Sequence, residues 1–359
     1  MERVLQQFRD RVKNASHTGE ALRLRGGGTK DWYGQTLDGA LLDTRAYNGI
    51  VAYEPTELVI TARCGTPLAE LEAALAKNSQ MLAFEPPHFG PDATVGGMVA
   101  VGFSGPRRQA VGAVRDFVLG AVLMDGRGDE LRFGGQVMKN VAGYDVSRVL
   151  AGSLGSLGLI LEVSLKVMPL PFAETTVHLN MDQAAALRCL NEWGGQPLPI
   201  SASAWQGDSL LVRLSGAQAA VTAARSKIGG EMIEDADEIW RDLREHLIGY
   251  FSDAAPQGLR LWRLSLPSTA PELKLDGEQL VEWGGAQRWL KSDAPAEQIR
   301  AAVTAVGGHA TLFRGGDGSV DVFQPMAPEA AKIRQRLMES FDPAGIFNPG
   351  RMYRHGHRA

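Results

Sequence analysis

The sequence predicts an α+β protein of two domains followed by a C-terminal segment, and three observations carry that reading. Short apolar runs alternate with glycine-rich turns over residues 1–172. A two-proline break, VMPLPFA, spans Val167–Ala173. The texture then changes to helices interleaved with longer strand-like runs over residues 173–325, which suits a smaller α+β domain covering the first. With 359 residues, 44% hydrophobic and 22% charged, the chain has the apolar content for two cores.

The first strand is Leu22–Arg25, running straight into Gly26-Gly27-Gly28-Thr29. A second, Leu58–Cys64, ends at a helix signal, where Thr66 can cap and Pro67 fits the first helical position of PLAELEAALAKN. FVLGAVLMDGRGDELRF gives two apolar runs around a glycine-containing turn and reads as a hairpin. Beyond the break, MDQAAALRCLNEW and DADEIWRDLREHL read as helices, and SLLVRL, LRLWRLSL and QRWLK as strands, with Trp262, Trp283 and Trp289 as core aromatics or interface anchors. Residues 326–359 include the helix-like run PEAAKIRQRLMESF, in which Ile333, Leu337 and Phe341 share one face expected to dock on a core.

A net charge of -4, without an arginine-rich or aromatic-interleaved stretch, argues against nucleic acid as a partner. Cys64 and Cys189 are the only cysteines, so the chain cannot supply the thiolate set that an iron–sulfur cluster takes. The N-terminus, MERVLQQFRDRVKNA, alternates charged and apolar residues and lacks the apolar core of a signal peptide, so an intracellular protein is expected. No run approaches the roughly 20 apolar residues of a membrane span, and a membrane role would come through a partner.

Three glycine loops carry the binding signal. Gly26, Gly27 and Gly28 let successive backbone N–H groups converge on an anion, such as a diphosphate; a flexible turn is the other reading. TVGGMVAVGFSG brings Gly96, Gly97, Gly102 and Gly105, and GSLGSLG brings Gly152, Gly155 and Gly158 just before the strand-like run LILEVSLKV. Neither GGGTKD nor GSLGSLG matches G-x-G-x-x-G opening a helix with an acid about 20 positions later, which disfavours a Rossmann NAD site, and no P-loop motif occurs.

The series RGGGT, ATVGGMVA, KNVAGYDVSRVLAGSLGSLGLILEVSLKV and FDPAGIFNPGRM resembles the vanillyl-alcohol-oxidase, or PCMH-type, FAD-binding fold over nearly the whole chain. EPTELVITARCGTPLAELEAAL, EPPHFGPDATVGGMVAVGFSGPRR and EWGGAQRWLKS resemble the FAD-binding subunits of bacterial glycolate oxidases. The resemblance implies an FAD domain of two α+β subdomains, a smaller cap domain, and a C-terminal segment that returns to the FAD domain. It implies that Arg25, Gly26, Gly27, Gly28, Thr29 and Lys30 surround the diphosphate, with Pro87, Thr94, Val95, Gly96, Gly97 and Gly105 on a second side. Gly152, Ser153, Gly155 and Gly158 would close around the nucleotide, while Ile160 and Asn348 would lie by the flavin. Some relatives tether the flavin through a histidine beside the glycine loop; none stands in Arg25–Lys30, so non-covalent FAD is expected. Implied too are a larger FAD-containing subunit, an iron–sulfur subunit, and oxidation of a small 2-hydroxy acid, glycolate, to glyoxylate with a non-NAD acceptor. The location is then cytoplasmic, with any membrane attachment peripheral and through partners.

Two departures matter. Leu154 and Ser156 stand where family members commonly have an acid and a threonine, and the cap histidine with its GDGN-like run is reduced to His309-Ala310-Thr311 and Gly315-Gly316-Asp317-Gly318. Oxidising a 2-hydroxy acid on a flavin needs a base for the hydroxyl proton and a cation for the carboxylate. His88, beside the second loop, and Arg351, after Asn348, are the candidates; a packed turn histidine and a salt-bridged surface arginine are the plainer readings. Arg107 and Arg108 are further arginine candidates, Lys139, Asn140, Tyr144 and Asp145 could hold flavin or an inner turn, and His355 and His357 read as solvent-exposed tail residues.

Overall fold

The computed structural model describes residues 1–135, 146–252 and 259–354. Lys139, Asn140, Tyr144, Asp145, His355 and His357 lie outside the described residues. The chain forms two compact units: Met1–Phe103 with Ala113–Pro169 and Pro325–Ala359, and Ser104–Gly112 with Leu170–Gln324. It therefore enters the second unit twice, first through a short excursion directly after the second glycine stretch.

In the first unit, antiparallel strands in the order Ile50–Glu54, Val59–Arg63, Leu159–Lys166, Val118–Met124 and Glu130–Gly134 form the main sheet. Val118–Met124 is buried almost throughout, which explains a sequence, VLGAVLM, without the alternation of a half-exposed strand. The hairpin turn after it is built by Asp125, whose Oδ1 accepts from the amides of Arg127 at 2.8 Å and Asp129 at 2.9 Å. Helix Leu68–Ala76 buries Leu68, Leu71 and Leu75. Its cap is Pro67, not Thr66: the Thr66 hydroxyl accepts from Gly49 N at 2.9 Å and donates to Gly49 O, tying the helix start to another loop.

A separate pair of parallel strands, Leu22–Arg25 and Ala40–Asp43, bears the first glycine loop. The C-terminal segment extends it: Leu22 N donates to Ile346 O at 2.7 Å and Asn348 N to Leu22 O at 2.9 Å. Helix Pro328–Phe341 leads into that segment. Of its expected apolar face only Phe341 is buried, edge-on to Phe133, while Ile333 is 61% exposed. Docking is confined to the last turn because the chain folds inward at Asp342, whose Oδ2 accepts from Phe347 N at 2.8 Å. Among the described residues no helix is long and apolar enough to cross a membrane.

The second unit is an antiparallel sheet of eight strands, ordered Glu231–Ile233, Ala173–Asn180, Ser209–Gly216, Ile200–Gln206, Glu278–Glu282, Gln287–Ser292, Arg260–Ser265 and His309–Arg314. One core forms around Leu210, Val212 and Leu214 with helices Gln183–Gly194 and Gln218–Ile228; another forms around Trp262, Leu264 and Leu290 with helix Ala296–Ala305. Trp262, Trp283 and Trp289 are all buried, with the Trp289 indole donating to Glu282 Oε2 at 2.6 Å.

Candidate cofactor site

The three glycine loops and the C-terminal asparagine converge on one cleft in the first unit, open to solvent, with a cavity volume of about 110 Å³. Strand Leu22–Arg25 delivers the first loop. Gly27 has no room for a side chain, since a Cβ there would stand 1.5 Å from Asp92 O. The amides of Gly27, Gly28 and Thr29 donate to no partner among the described residues, so a run of backbone N–H groups stands open beside the cleft.

Thr94 begins the second loop and caps helix Val95–Val101, its Oγ1 accepting from Gly97 N. Gly96 packs against Cys64, and both line the cleft. Burial pushes the Cys64 thiol up to about 12. The third loop is zipped onto the end of the same helix, with Gly152 N donating to Val99 O at 3.1 Å and Leu154 N to Ala100 O at 2.8 Å. Asn348 then joins first and third loops: its Oδ1 accepts from Leu24 N at 2.8 Å and its Nδ2 donates to Leu154 O at 2.6 Å. Gly155, at φ 71°, passes so close that a Cβ would lie 2.7 Å from that Nδ2.

Of the expected residues, Arg25, Gly26, Gly27, Gly28, Thr29, Lys30, Thr94, Gly96, Gly97, Gly155, Gly158, Ile160, Asn348 and Arg351 line the cleft. Gly152, Ser153 and Val95 stand behind the wall: Ser153 Oγ accepts from Gly155 N, and Val95 N donates to Thr66 O. Pro87 is buried outside the lining. Gly105 belongs to the second unit, where its carbonyl accepts from the Trp283 indole at 3.0 Å, and Arg107 there pairs with Glu174 at 2.7 Å. Arg108 lies over the Trp283 ring at 4.2 Å.

The two catalytic candidates are held in other ways. His88 is not on the cleft wall; its Nε2 lies 2.9 Å from Glu72 Oε2 and its carbonyl accepts from Lys30 Nζ at 2.9 Å. Arg351 is buried, with Nη1 donating to Gln35 O at 2.8 Å and Nη2 to Asp31 O at 2.7 Å, and desolvation lowers it to about 10. Its guanidinium braces the backbone of 31–35 instead of lying as a surface salt bridge. The remaining wall comes from Asp31, which pairs with Arg25 at 2.7 Å, and from Leu24, Leu37, Thr44, Cys64 and Leu154. Thr44 follows strand Ala40–Asp43, whose parallel pairing sets its end level with the glycine loop, a placement that no local sequence pattern announces.

The sequence profile of a family described as FAD binding domain matches residues 4–134. Over 348 residues, 97% of this chain and 97% of the relative, the chain is 48% identical to glycolate oxidase subunit GlcE of Escherichia coli K12. The chain belongs to the GlcE family. This GlcE-family protein is also 25% identical, across 96% of its length and 88% of the relative's, to a D-lactate dehydrogenase of Archaeoglobus fulgidus. Against glycolate oxidase subunit GlcD of Bacillus subtilis the identity is 33%, over 45% of this chain and 35% of that one. Alkyldihydroxyacetonephosphate synthase superposes with a TM-score of 0.66 at 16% identity, covering 95% of this chain and 74% of the synthase, which shows a shared fold. The first unit of this GlcE-family chain is thus an FAD-binding domain of the PCMH type. Its cleft suits that cofactor, with open backbone donors for a diphosphate and glycines that admit close approach.

Proposed function

We propose that this chain is the FAD-binding subunit of a glycolate oxidase, a complex that oxidises glycolate, a small 2-hydroxy acid, to glyoxylate and passes the electrons to an acceptor other than NAD. One observation carries the reading: a chain alike to a glycolate oxidase subunit over 97% of its length holds an open, glycine-walled cleft with backbone donors along it. Its partners are a larger FAD-containing subunit and an iron–sulfur subunit. The two cysteines, one of them buried in the cleft wall, support a cluster carried by another polypeptide. The complex is cytoplasmic, and any hold on the inner membrane runs through its partners.

The FAD is held without a covalent bond. Among the described residues no histidine lines the cleft, and burial leaves Cys64 without the thiolate character that attachment would draw on. Gly26, Gly27, Gly28 and Thr29 take the diphosphate through backbone N–H groups, with Thr94, Gly96 and Gly97 opposite. Gly155, Gly158, Ile160 and Asn348 complete the enclosure, and Arg351 is a positioning residue that fixes the loop at 31–35. When bound, the FAD supplies a two-electron acceptor. Neither His88, held by Glu72, nor Arg351, held by carbonyls, offers the cleft a base or a carboxylate partner, which supports substrate oxidation on the larger subunit and electron relay through this one.

A second reading, a self-sufficient FAD-dependent 2-hydroxy-acid dehydrogenase, is favoured by the near-full-length likeness to a D-lactate dehydrogenase. Anaerobic mixing of the purified chain with glycolate, followed by flavin absorbance, separates the two. Absorbance that bleaches only after the partner subunits are added supports the relay; bleaching of the lone chain supports the dehydrogenase.

A further inference from the structure

We propose that a groove in the second unit docks an extended, lysine- or arginine-bearing segment of a partner subunit. The proposal rests on the reading that this chain works within a multi-subunit enzyme. The groove is open to solvent, with a volume of about 740 Å³, and lies between the hairpin turn at Gln206 and Gly207, the start of helix Gly249–Ser252, and the stretch 272–279.

The stretch 272–276 is strand-like without being paired. Leu273 and Leu275 are buried in the core around Trp262, whereas Glu272, Lys274 and Asp276 are exposed, the alternation of a half-buried strand. The amides of Glu272, Leu273, Lys274 and Asp276 nonetheless donate to no partner among the described residues. The stretch is fixed from behind: the buried Arg288 guanidinium donates to Ala270 O at 2.5 Å and Pro271 O at 2.7 Å, and Gln279 Nε2 donates to Leu273 O at 3.3 Å. An extended backbone with open donors, held beside a groove, is an edge on which another extended segment can pair.

The side chains on the groove favour a cation. Glu272, Asp276 and Glu278 line it against one lysine, Lys274. Glu278 meets Lys291 at 3.8 Å. Glu272, with the buried Arg288 charge nearby, and Asp276 make neither a hydrogen bond nor an ion pair among the described residues. On the inner wall Gln183 is 6% exposed and donates from Nε2 to Gln279 Oε1 at 3.0 Å, while its own Oε1 accepts from no group among the described residues. An open carbonyl inside and carboxylates at the rim offer acceptors to a donor-rich cation, an ammonium or a guanidinium.

The test is titration of the full-length, FAD-loaded chain into the other subunits of the enzyme, purified together, at several salt concentrations. Wild type binds, and binding weakens as salt rises. Glu272→Gln/Asp276→Asn weakens binding at least about fivefold at low salt, flattens the salt dependence and keeps the flavin content of wild type. Lys274→Glu tightens binding by about twofold or more, a gain that a misfolded chain would not give. An acetylated and amidated Lys-Val-Lys-Val-Lys peptide competes at about tenfold lower concentration than spermidine, which matches its charge but has no peptide backbone. Undiminished binding by the double variant, no gain from Lys274→Glu, or equal competition by peptide and spermidine overturns the proposal. So does self-association of the lone chain that the double variant abolishes, which gives the groove to a second copy. A wild-type chain that does not bind the other subunits defeats the multi-subunit reading and this proposal with it.

Discussion

Replacing Asn348 by alanine tests how the cleft is held together. The Asn348 side chain joins two loops distant in sequence, accepting from Leu24 N at 2.8 Å and donating to Leu154 O at 2.6 Å, at a left-handed φ of 41°. Alanine removes both bonds, leaves a buried carbonyl and a half-buried amide without partners, and sits less comfortably at that φ. The combined cost is about 4 kcal/mol, a large share of a typical folding free energy. Asn348→Asp recovers little, because it keeps the acceptor for Leu24 but sets a carboxylate oxygen against the Leu154 carbonyl. The assay is urea unfolding of the flavin-free chain, with FAD titration alongside. An Asn348→Ala chain within about 1 kcal/mol of wild type and with unchanged FAD affinity would refute the clamp.

Gly27→Ala drives a methyl group to 1.5 Å from Asp92 O, so one of the two loops must move; flavin absorbance of the purified variant falls to background, and wild-type occupancy would contradict this. Cys64, its thiol raised to about 12 by burial, stays unmodified by a thiol reagent at about pH 8 while the half-buried Cys189 reacts, and titrates fully only after unfolding; prompt modification of both thiols counts against it. Burial, with the Asp125 charge adding, raises the Asp342 carboxyl above its usual range, so its favourable contribution is complete below the unfolded carboxyl pKa and is lost as pH rises through the folded one. Asp342→Asn, which keeps an acceptor for Phe347 N, loses less stability than wild type as pH rises above about 4 in denaturant titrations, and equal losses would remove this account.

Local chemistry was legible where a few residues decide the outcome. The strand Leu22–Arg25 ends where the tripled glycine begins, and the hairpin around residues 125–129 follows from its aspartate and glycine turn. The glycine loops of the cleft were legible because close backbone approach excludes other residues. What escaped depends on distant chain. Thr66 had the chemistry of a helix cap, yet Gly49 claims its hydroxyl. Gly105 follows the second loop in sequence, but the chain has crossed into the second unit by Ser104. Ile333 has helical spacing to Phe341, yet the anchor at Asp342 buries only the last turn. Asp31, Thr44 and Cys64 reach the cleft through pairings that no local pattern announces. His88 and Arg351 had the right functional groups, and only the surrounding acceptors reveal that those groups are engaged elsewhere.

The most direct test of the central claim, that this cleft holds FAD through backbone donors and without a covalent bond, is acid precipitation of the purified, flavin-loaded chain with quantification of flavin in supernatant and pellet. The account predicts FAD at one per chain, all of it in the supernatant, and a colourless pellet. Flavin retained on the precipitated polypeptide, or a purified chain that carries none and takes up none when FAD is supplied, would contradict it.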